Sequence, residues 1–306
     1  MLKYLLKRIV GTIPTLIIVV TFVFLFVRII PGDPARLVAG EQATQQDVEA
    51  VREQLGLNKP VTTQYITYVS GLLHGDLGTS LRTKRPVLEE ISGRFGNTVR
   101  LAAVTLLWSA IAGVLFGVWS GTHRGKWQDY TGMTVAVSGI SLPSFWIGFL
   151  LIMLLAVKMK ILPTTSSSDW KGLIMPSITL GLGIAAIIAR FTRSSIVEIL
   201  KEDYIRTARA KGIREKVVVW KHVFRNSMIS VVTVVGLQFG FLLGGSVVTE
   251  TVFAYPGLGS LLIESVNYRD YPAIQSLILI FSLQFIVINL LVDVLYAVLN
   301  PEIKLQ

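Results

Sequence analysis

EDYIRTARAKG, residues 202–212, is a polar, basic stretch set between two apolar runs of membrane-spanning length. Its Ala, Arg and Lys content favours helix, and Gly212 is placed to end that helix in a turn. A second short helical pattern follows, from about Arg214 to Phe224. The whole connection, residues 190–228, carries ten Lys or Arg between Arg190 and Arg225. Short basic connections stay on the cytoplasmic side, so this one sets the direction of every span around it. At roughly 35 residues it is also longer than the usual link between bundled helices, and long connections of this kind tend to be functional. A stiff helix–Gly–helix prong beneath a membrane bundle is the expected shape.

Composition agrees with a bundle in lipid. The chain has 306 residues, 52% hydrophobic and 16% charged, with mean hydropathy +0.62. Soluble domains carry roughly 25% charged residues, so much of this surface faces lipid. The formal charge is +10, but the basic residues cluster beside apolar runs and no groove-reading or base-stacking pattern accompanies them. Nucleic acid is therefore excluded as a partner. The chain has no Cys, which excludes disulfides, thiolate metal sites and a Cys nucleophile.

Working outward, Lys3, Lys7 and Arg8 precede an apolar run from Ile9 to Ile30. It is long enough to span and no small-residue cleavage pattern follows closely, so residues 1–30 read as an uncleaved first span with a cytoplasmic N-terminus. Residues 31–97 read as an extracytoplasmic helical insertion. It opens with the turn Pro31-Gly32-Asp33-Pro34, and Gln46 to Leu55 reads as an amphipathic helix. Leu72, Leu73, Leu77 and Leu81 are expected to pack it on the membrane domain. Residues 98–300 form the core, with spans at Thr98–Ser120, Met133–Val157, Gly172–Ala189, Ile229–Thr249 and Ala273–Leu299. The fold class expected is an all-α membrane protein of six transmembrane helices, both termini cytoplasmic, with Thr251 to Pro272 returning outside.

The spans hold few polar side chains. Ser138, Ser141, Gln238 and Ser246 are candidates to line a translocation path, and Gln284, Asn289 and Asp293 also lie inside apolar runs. An unpaired polar group in hydrocarbon costs several kcal/mol, so each must face protein or water. Interhelical hydrogen bonding is the alternative for every one of them. Gly113-x-x-x-Gly117 and Gly240-x-x-x-Gly244 match the spacing of close helix contacts.

Catalytic patterns fail on context. Gly181-Leu182-Gly183 with Ala186 mimics a dinucleotide fingerprint but sits inside an apolar span with no strand before it. Ser168-Asp169-Trp170-Lys171 matches Ser-x-x-Lys without its companion motifs. No phosphate-binding Gly-x-x-x-x-Gly-Lys occurs, and His74, His123 and His222 fall in separate loops, so no metal site is expected. An intramembrane enzyme would need a paired nucleophile and base, and a self-sufficient carrier would need midplane carboxylates. The spans offer scarcely either.

At Asp203-Tyr204-Ile205-Arg206-Thr207-Ala208-Arg209-Ala210-Lys211-Gly212 the chain resembles the EAA loop of ABC-importer permeases, in the form carried by the dipeptide and oligopeptide branch. Arg206, Thr207 and Ala208 stand at the Glu-Ala-Ala positions and Gly212 at the motif's glycine. The resemblance extends to Ile30-Pro31-Gly32-Asp33-Pro34-Ala35, Gly78 to Leu81, Arg190-Phe191-Thr192-Arg193-Ser194, Tyr255-Pro256-Gly257-Leu258-Gly259 and Arg269-Asp270-Tyr271-Pro272, a pattern like that of the branch's B-type subunit. Leu237 to Ser246 is similar to glutathione-transporting members.

The resemblance implies a type I importer permease in a bacterial inner membrane. A homologous second permease subunit would complete the path. Two ATP-binding subunits, holding ATP and Mg, would grip the loops, and an extracytoplasmic solute-binding protein would deliver cargo. The chain itself would bind no cofactor. Glu202, Asp203, Tyr204, Arg206, Thr207, Ala208, Lys211 and Gly212 would couple to the ATPases. Peptides, with glutathione foremost, are the implied cargo; nickel or another small solute is the alternative.

Overall fold

The computed structural model describes residues 2–29, 33–40, 42–166 and 169–299. The Pro31-Gly32 turn, Ser168 and the last residue of the expected core, 300, lie outside the described residues. No strand forms among the described residues beyond an isolated bridge between Thr79 and Pro86.

Helix α1 (Leu2–Ile29) is long and apolar. Beyond its end come three short helices, α2 (Pro34–Ala39), α3 (Gln45–Gln54) and α4 (Val61–Leu73). Sequence dictates their starts: Asp33 caps α2 by accepting from the Ala35 amide at 3.0 Å, and Thr44 with Asp47 forms a capping box on α3. Then α5 (Val87–Thr122) runs 36 residues, longer than the expected span because its outer turns continue into Val87 and Ile91, which pack on Leu258, Leu261, Ala273 and Leu277.

The next span is not one helix. α6 (Trp127–Ser141) and α7 (Ser144–Leu151), the latter continued by a π-helical turn Ile152–Lys158, meet at 95°. This corrects the continuous span expected over Met133–Val157. The cause is Pro143: the residue before a proline is pushed out of the helical region, and Leu142 has φ −85° and ψ 129°.

α8 (Trp170–Ile199) overruns its expected end at Ala189, so Arg190 and Arg193 sit on helix rather than in a loop. After α9 (Asp203–Ala210), the short α10 (Glu215–Val217) passes through a π-helical turn Val218–Phe224 straight into α11 (Arg225–Gly245). The expected second prong helix is therefore the foot of the next span. α12 (Val247–Val252), α13 (Leu258–Asn267) and α14 (Tyr271–Leu299) complete the chain. Among the described residues, five helices are long and apolar enough to cross a membrane, or six if the bent pair counts as one.

The bundle is built around the α5–α8 contact, with α11 packed on both and on α14, and α1 on α14. Glycine makes the central contact possible. A Cβ on Gly117 would stand 2.5 Å from the Thr192 Cβ and 2.7 Å from the Ala189 carbonyl oxygen, and one on Gly113 or Gly121 would meet α8 at 2.6 or 2.9 Å. Gly181 is packed the same way, against the Trp108 ring at 2.2 Å. On α11 the close approach falls on Gly236, where a Cβ would meet Val292 at 2.4 Å, and on Gly240, while Gly244 has open space. The contact spacing expected at Gly240 and Gly244 is thus shifted one turn earlier. Gly117→Ala should destabilise by roughly 1–3 kcal/mol through overpacking. Gly93→Ala, on the same helix with nothing within 4 Å, should be neutral or gain about 0.5–1 kcal/mol from helix propensity. Thermal unfolding of the two variants in detergent checks the sign.

Candidate functional site

Residues 202–212 fold as α9, closed by Lys211 and Gly212. Gly212 has φ +75°, a left-handed conformation that side chains with a Cβ resist. Ile205 and Ala208 stand three residues apart on one face and are 0% and 7% exposed. They pack with Val118, Ile196, Val218 and Val223. Of the residues expected to couple to the ATPases, Ala208 is the buried one: it shares the Ile205 stripe, and its methyl serves to seat the helix on the bundle. Glu202, Asp203, Tyr204, Arg206, Thr207, Lys211 and Gly212 are exposed.

Two contacts brace the prong. Arg209 reaches over the Gly212 turn to Glu215 with Nη2 to Oε1 at 2.6 Å and Nε to Oε2 at 3.1 Å. This bidentate hydrogen bond holds the Arg209 guanidinium above its ordinary pKa. The Asn226 amide donates to the Tyr204 hydroxyl at 2.8 Å. By contrast the Arg206–Asp203 pair, 3.3 Å apart, is solvated on both sides and adds little. Arg209 was not among the sequence candidates; an opposite charge six residues away across a glycine was the available signal.

Above the prong, α8 is tied to α6. Asp129, 4% exposed, accepts from Arg193 Nε at 2.6 Å and Nη2 at 2.7 Å, from Ser120 Oγ at 2.7 Å and from the Gly125 amide at 3.1 Å. Ser138 lines a cavity of about 450 Å³ with this pair, between Thr134 and Val137. Gln238 lines a second cavity, about 260 Å³, inside the α6–α7 elbow with Gly139, Leu142 and Thr179. The Thr179 hydroxyl, buried with no protein partner, lines the same space. Ser141 is exposed and spends its hydroxyl on the Val137 carbonyl at 2.9 Å.

Ser246 is elsewhere. It is buried and donates to Glu250 Oε1 at 2.8 Å, which corrects its placement on a path. Glu250 is fully buried and also accepts from Thr98 Oγ1 at 3.0 Å and from the Gly259 and Ser260 amides at 2.7 and 3.1 Å. The carboxylate sits on the first turn of α13, where helix amides and dipole favour negative charge. A second buried carboxylate, Asp270, gathers Ser80 Oγ, the Leu81 amide at 3.0 Å and the Ala273 amide at 3.4 Å. Nearby, Arg94 and Arg82 hold Glu264 below the usual carboxylate range, chiefly through the Arg94 hydrogen bonds. The sequence did not single out these outer locks, because their partners lie more than 150 residues apart in the case of Thr98 and Glu250.

The chain matches known proteins in sequence and in fold. The family described as "Binding-protein-dependent transport system inner membrane component" matches residues 113–305, and its N-terminal counterpart matches residues 1–102. The chain is 54% identical over 304 residues to glutathione transport system permease proteins of Salmonella typhimurium, Escherichia coli K12 and Pectobacterium atrosepticum, covering 99% of each chain. Among solved structures, the MetNI methionine ABC transporter in inward-facing conformations aligns with TM-score 0.59 and 17% identity, over 70% of this chain and 97% of that one. At that identity the likeness concerns the fold.

Proposed function

The chain belongs to the family of binding-protein-dependent transport system inner membrane components, and from that premise we propose that it passes glutathione or a closely similar short peptide inward. It is a multi-pass inner-membrane permease subunit of a binding-protein-dependent importer, a transport subunit and not an enzyme. In the proposal a homologous permease supplies the other half of the path, one of two ATP-hydrolysing subunits seats on α9 and the other on the partner permease's corresponding loop, and an extracytoplasmic protein hands over cargo. Both termini then lie in the cytoplasm, since the basic connection around α9 stays inside.

The observation that carries this reading is the construction of α9. Its apolar stripe is keyed into α5, α8 and the foot of α11 through Ile205 and Ala208, while Glu202, Asp203, Tyr204, Arg206, Thr207 and Lys211 are presented outward. A push on the outward face is passed to the spans as a rigid-body tilt, the motion alternating access requires. The cargo reading is supported by the full-length identity to glutathione permeases and by amide and hydroxyl groups on two cavities, Ser138 on one and Gln238 with Thr179 on the other, suited to a polar solute.

Gly212→Val tests the coupling. A β-branched residue at φ +75° adds strain of about 1–3 kcal/mol, enough to reduce the docked geometry by a factor of roughly 5 to 150. Uptake and binding-protein-stimulated ATP hydrolysis by the reconstituted importer should fall together, with assembly retained. Gly212→Asn, which tolerates the left-handed region, should retain most activity. Unchanged uptake in the Val variant removes α9 from the coupling path. Loading the cognate extracytoplasmic protein with labelled glutathione, a dipeptide or nickel tests the cargo separately.

A further inference from the structure

We propose that α4 is embedded in the outer leaflet of the bilayer, as an interfacial helix in contact with lipid headgroups and upper acyl chains. The first observation is depth. The Tyr65 hydroxyl shares a 2.7 Å hydrogen bond with Thr21 of α1, and the Tyr65 and Tyr68 rings pack on Phe24 with centroids 5.1 and 5.8 Å away. Thr21 lies roughly 12 Å down the helix from Ile29, about eight residues at 1.5 Å each. Even after the length of a tyrosine side chain is subtracted, α4 sits below the end of a membrane span rather than beyond it.

The second observation is chemistry. No charged residue occurs between Lys59 and His74. The half-buried stripe Gln64, Tyr65, Tyr68 and Leu72 turns inward, where Gln64, Tyr65 and Tyr68 meet α1. The outward side holds Ile66 and Leu73, seven residues apart on one line at 67% and 81% exposure, with Thr63, Thr67 and Ser70 beside them, while Val61, 54% exposed, stands on the first turn in line with Tyr65. This overturns the expectation that Leu73 packs on the membrane domain. A soluble insertion would leave those side chains in water without recompense; at the boundary of hydrocarbon they bury about 25 cal/mol of favourable transfer per Å².

The third observation is continuity. Arg28 of α1 donates to Gln64 at 2.7 Å and lies over the Phe24 ring, marking the headgroup level on both helices. Tyr65 and Tyr68 fall just beneath it, where tyrosines collect in membrane proteins. The lipid-facing surface of α1, with Phe22, Leu25, Phe26 and Ile29 exposed, adjoins α4 through the Arg28–Gln64 and Thr21–Tyr65 hydrogen bonds. Lipid is the occupant that this continuity selects over a protein domain in the aqueous phase.

The absence of Cys makes the test direct. Ile66→Cys and Leu73→Cys are labelled with a small fluorophore in the assembled importer, reconstituted into phosphatidylethanolamine–phosphatidylglycerol vesicles. Glu49→Cys on α3 serves as the water reference and Phe22→Cys on α1 as the lipid reference. Shallow brominated lipids should quench the 66 and 73 labels at least about twofold more than the Glu49 label, and iodide correspondingly less. Iodide quenching equal to the Glu49 reference overturns the proposal. So does protection from both quenchers, which would place a protein over α4. The readout is independent of cargo and of ATP, so its failure leaves the transport reading standing.

Discussion

Glu250→Ala is expected to cost more stability than other single truncations in the outer half of the protein. Four donors converge on this carboxylate: Thr98 from α5, Ser246 from the α11–α12 junction, and the Gly259 and Ser260 amides that open α13. Thr98 in turn accepts from the Leu258 amide at 2.8 Å, so one side chain joins three segments. Removing it strands buried donors and opens a cavity, an effect of roughly 3–5 kcal/mol. A drop in thermal midpoint on the order of 10 °C in detergent is expected. The isosteric Glu250→Gln is the informative partner. Its carbonyl can still accept from Thr98 and Ser246, but its amide then faces the two backbone N–H groups of α13, donor against donor. It should fall between wild type and Ala. Equality of Gln with wild type would mean that the α13 amides do not need a negative acceptor. Thr98→Val should cost less than Glu250→Ala, and the two should be non-additive because they share the network.

What could be read in advance follows from the range of each interaction. Spans were legible because hydrocarbon demands long apolar helices regardless of their neighbours. The α9 prong was legible because helix propensity and a terminal glycine are local. The 95° elbow was readable in principle from Pro143, but an apolar run of spanning length on either side masks a local break. The end of α8 was misplaced because Arg190 and Arg193 mark where lipid ends, which is a different matter from where helix ends. Ser246 was assigned to a path since polarity in a span shows only that a partner exists; here the partner is Glu250, a turn away. Ala208 illustrates the complementary limit. Its place in the motif was evident, yet the side of α9 it occupies depends on where Ile196, Val218 and Val223 come to rest.

Asp129→Ala should uncouple transport more than it unfolds the protein. α8 leads directly to the prong: Ile196 on its last turns packs on Ile205 of α9, and Arg193, one turn earlier, is bonded bidentately to Asp129 of α6. The pair makes α6 and α8 move as one when α9 is pushed. With Asp129 removed, Arg193 loses its acceptor while Ser120 Oγ and the Gly125 amide lose theirs, at a cost of roughly 2–4 kcal/mol. Part of any displacement of α9 is then absorbed at the α6–α8 contact. Cargo moved per ATP hydrolysed in the reconstituted importer should fall severalfold, while basal hydrolysis by the ATPases is little changed. Arg193→Ala leaves Asp129 buried without its cation, though still bonded to Ser120 and Gly125, and should act in the same direction. The double variant should be milder than the sum of the two, since neither partner is left alone. Reversing the pair, Asp129→Arg with Arg193→Asp, should not rescue. Ser120 and the Gly125 amide are donors fixed on the Asp129 side, and a guanidinium there would meet them with donors of its own. Full recovery of coupling by the reversed pair would show that charge attraction alone, rather than this directed set of hydrogen bonds, locks α8 to α6.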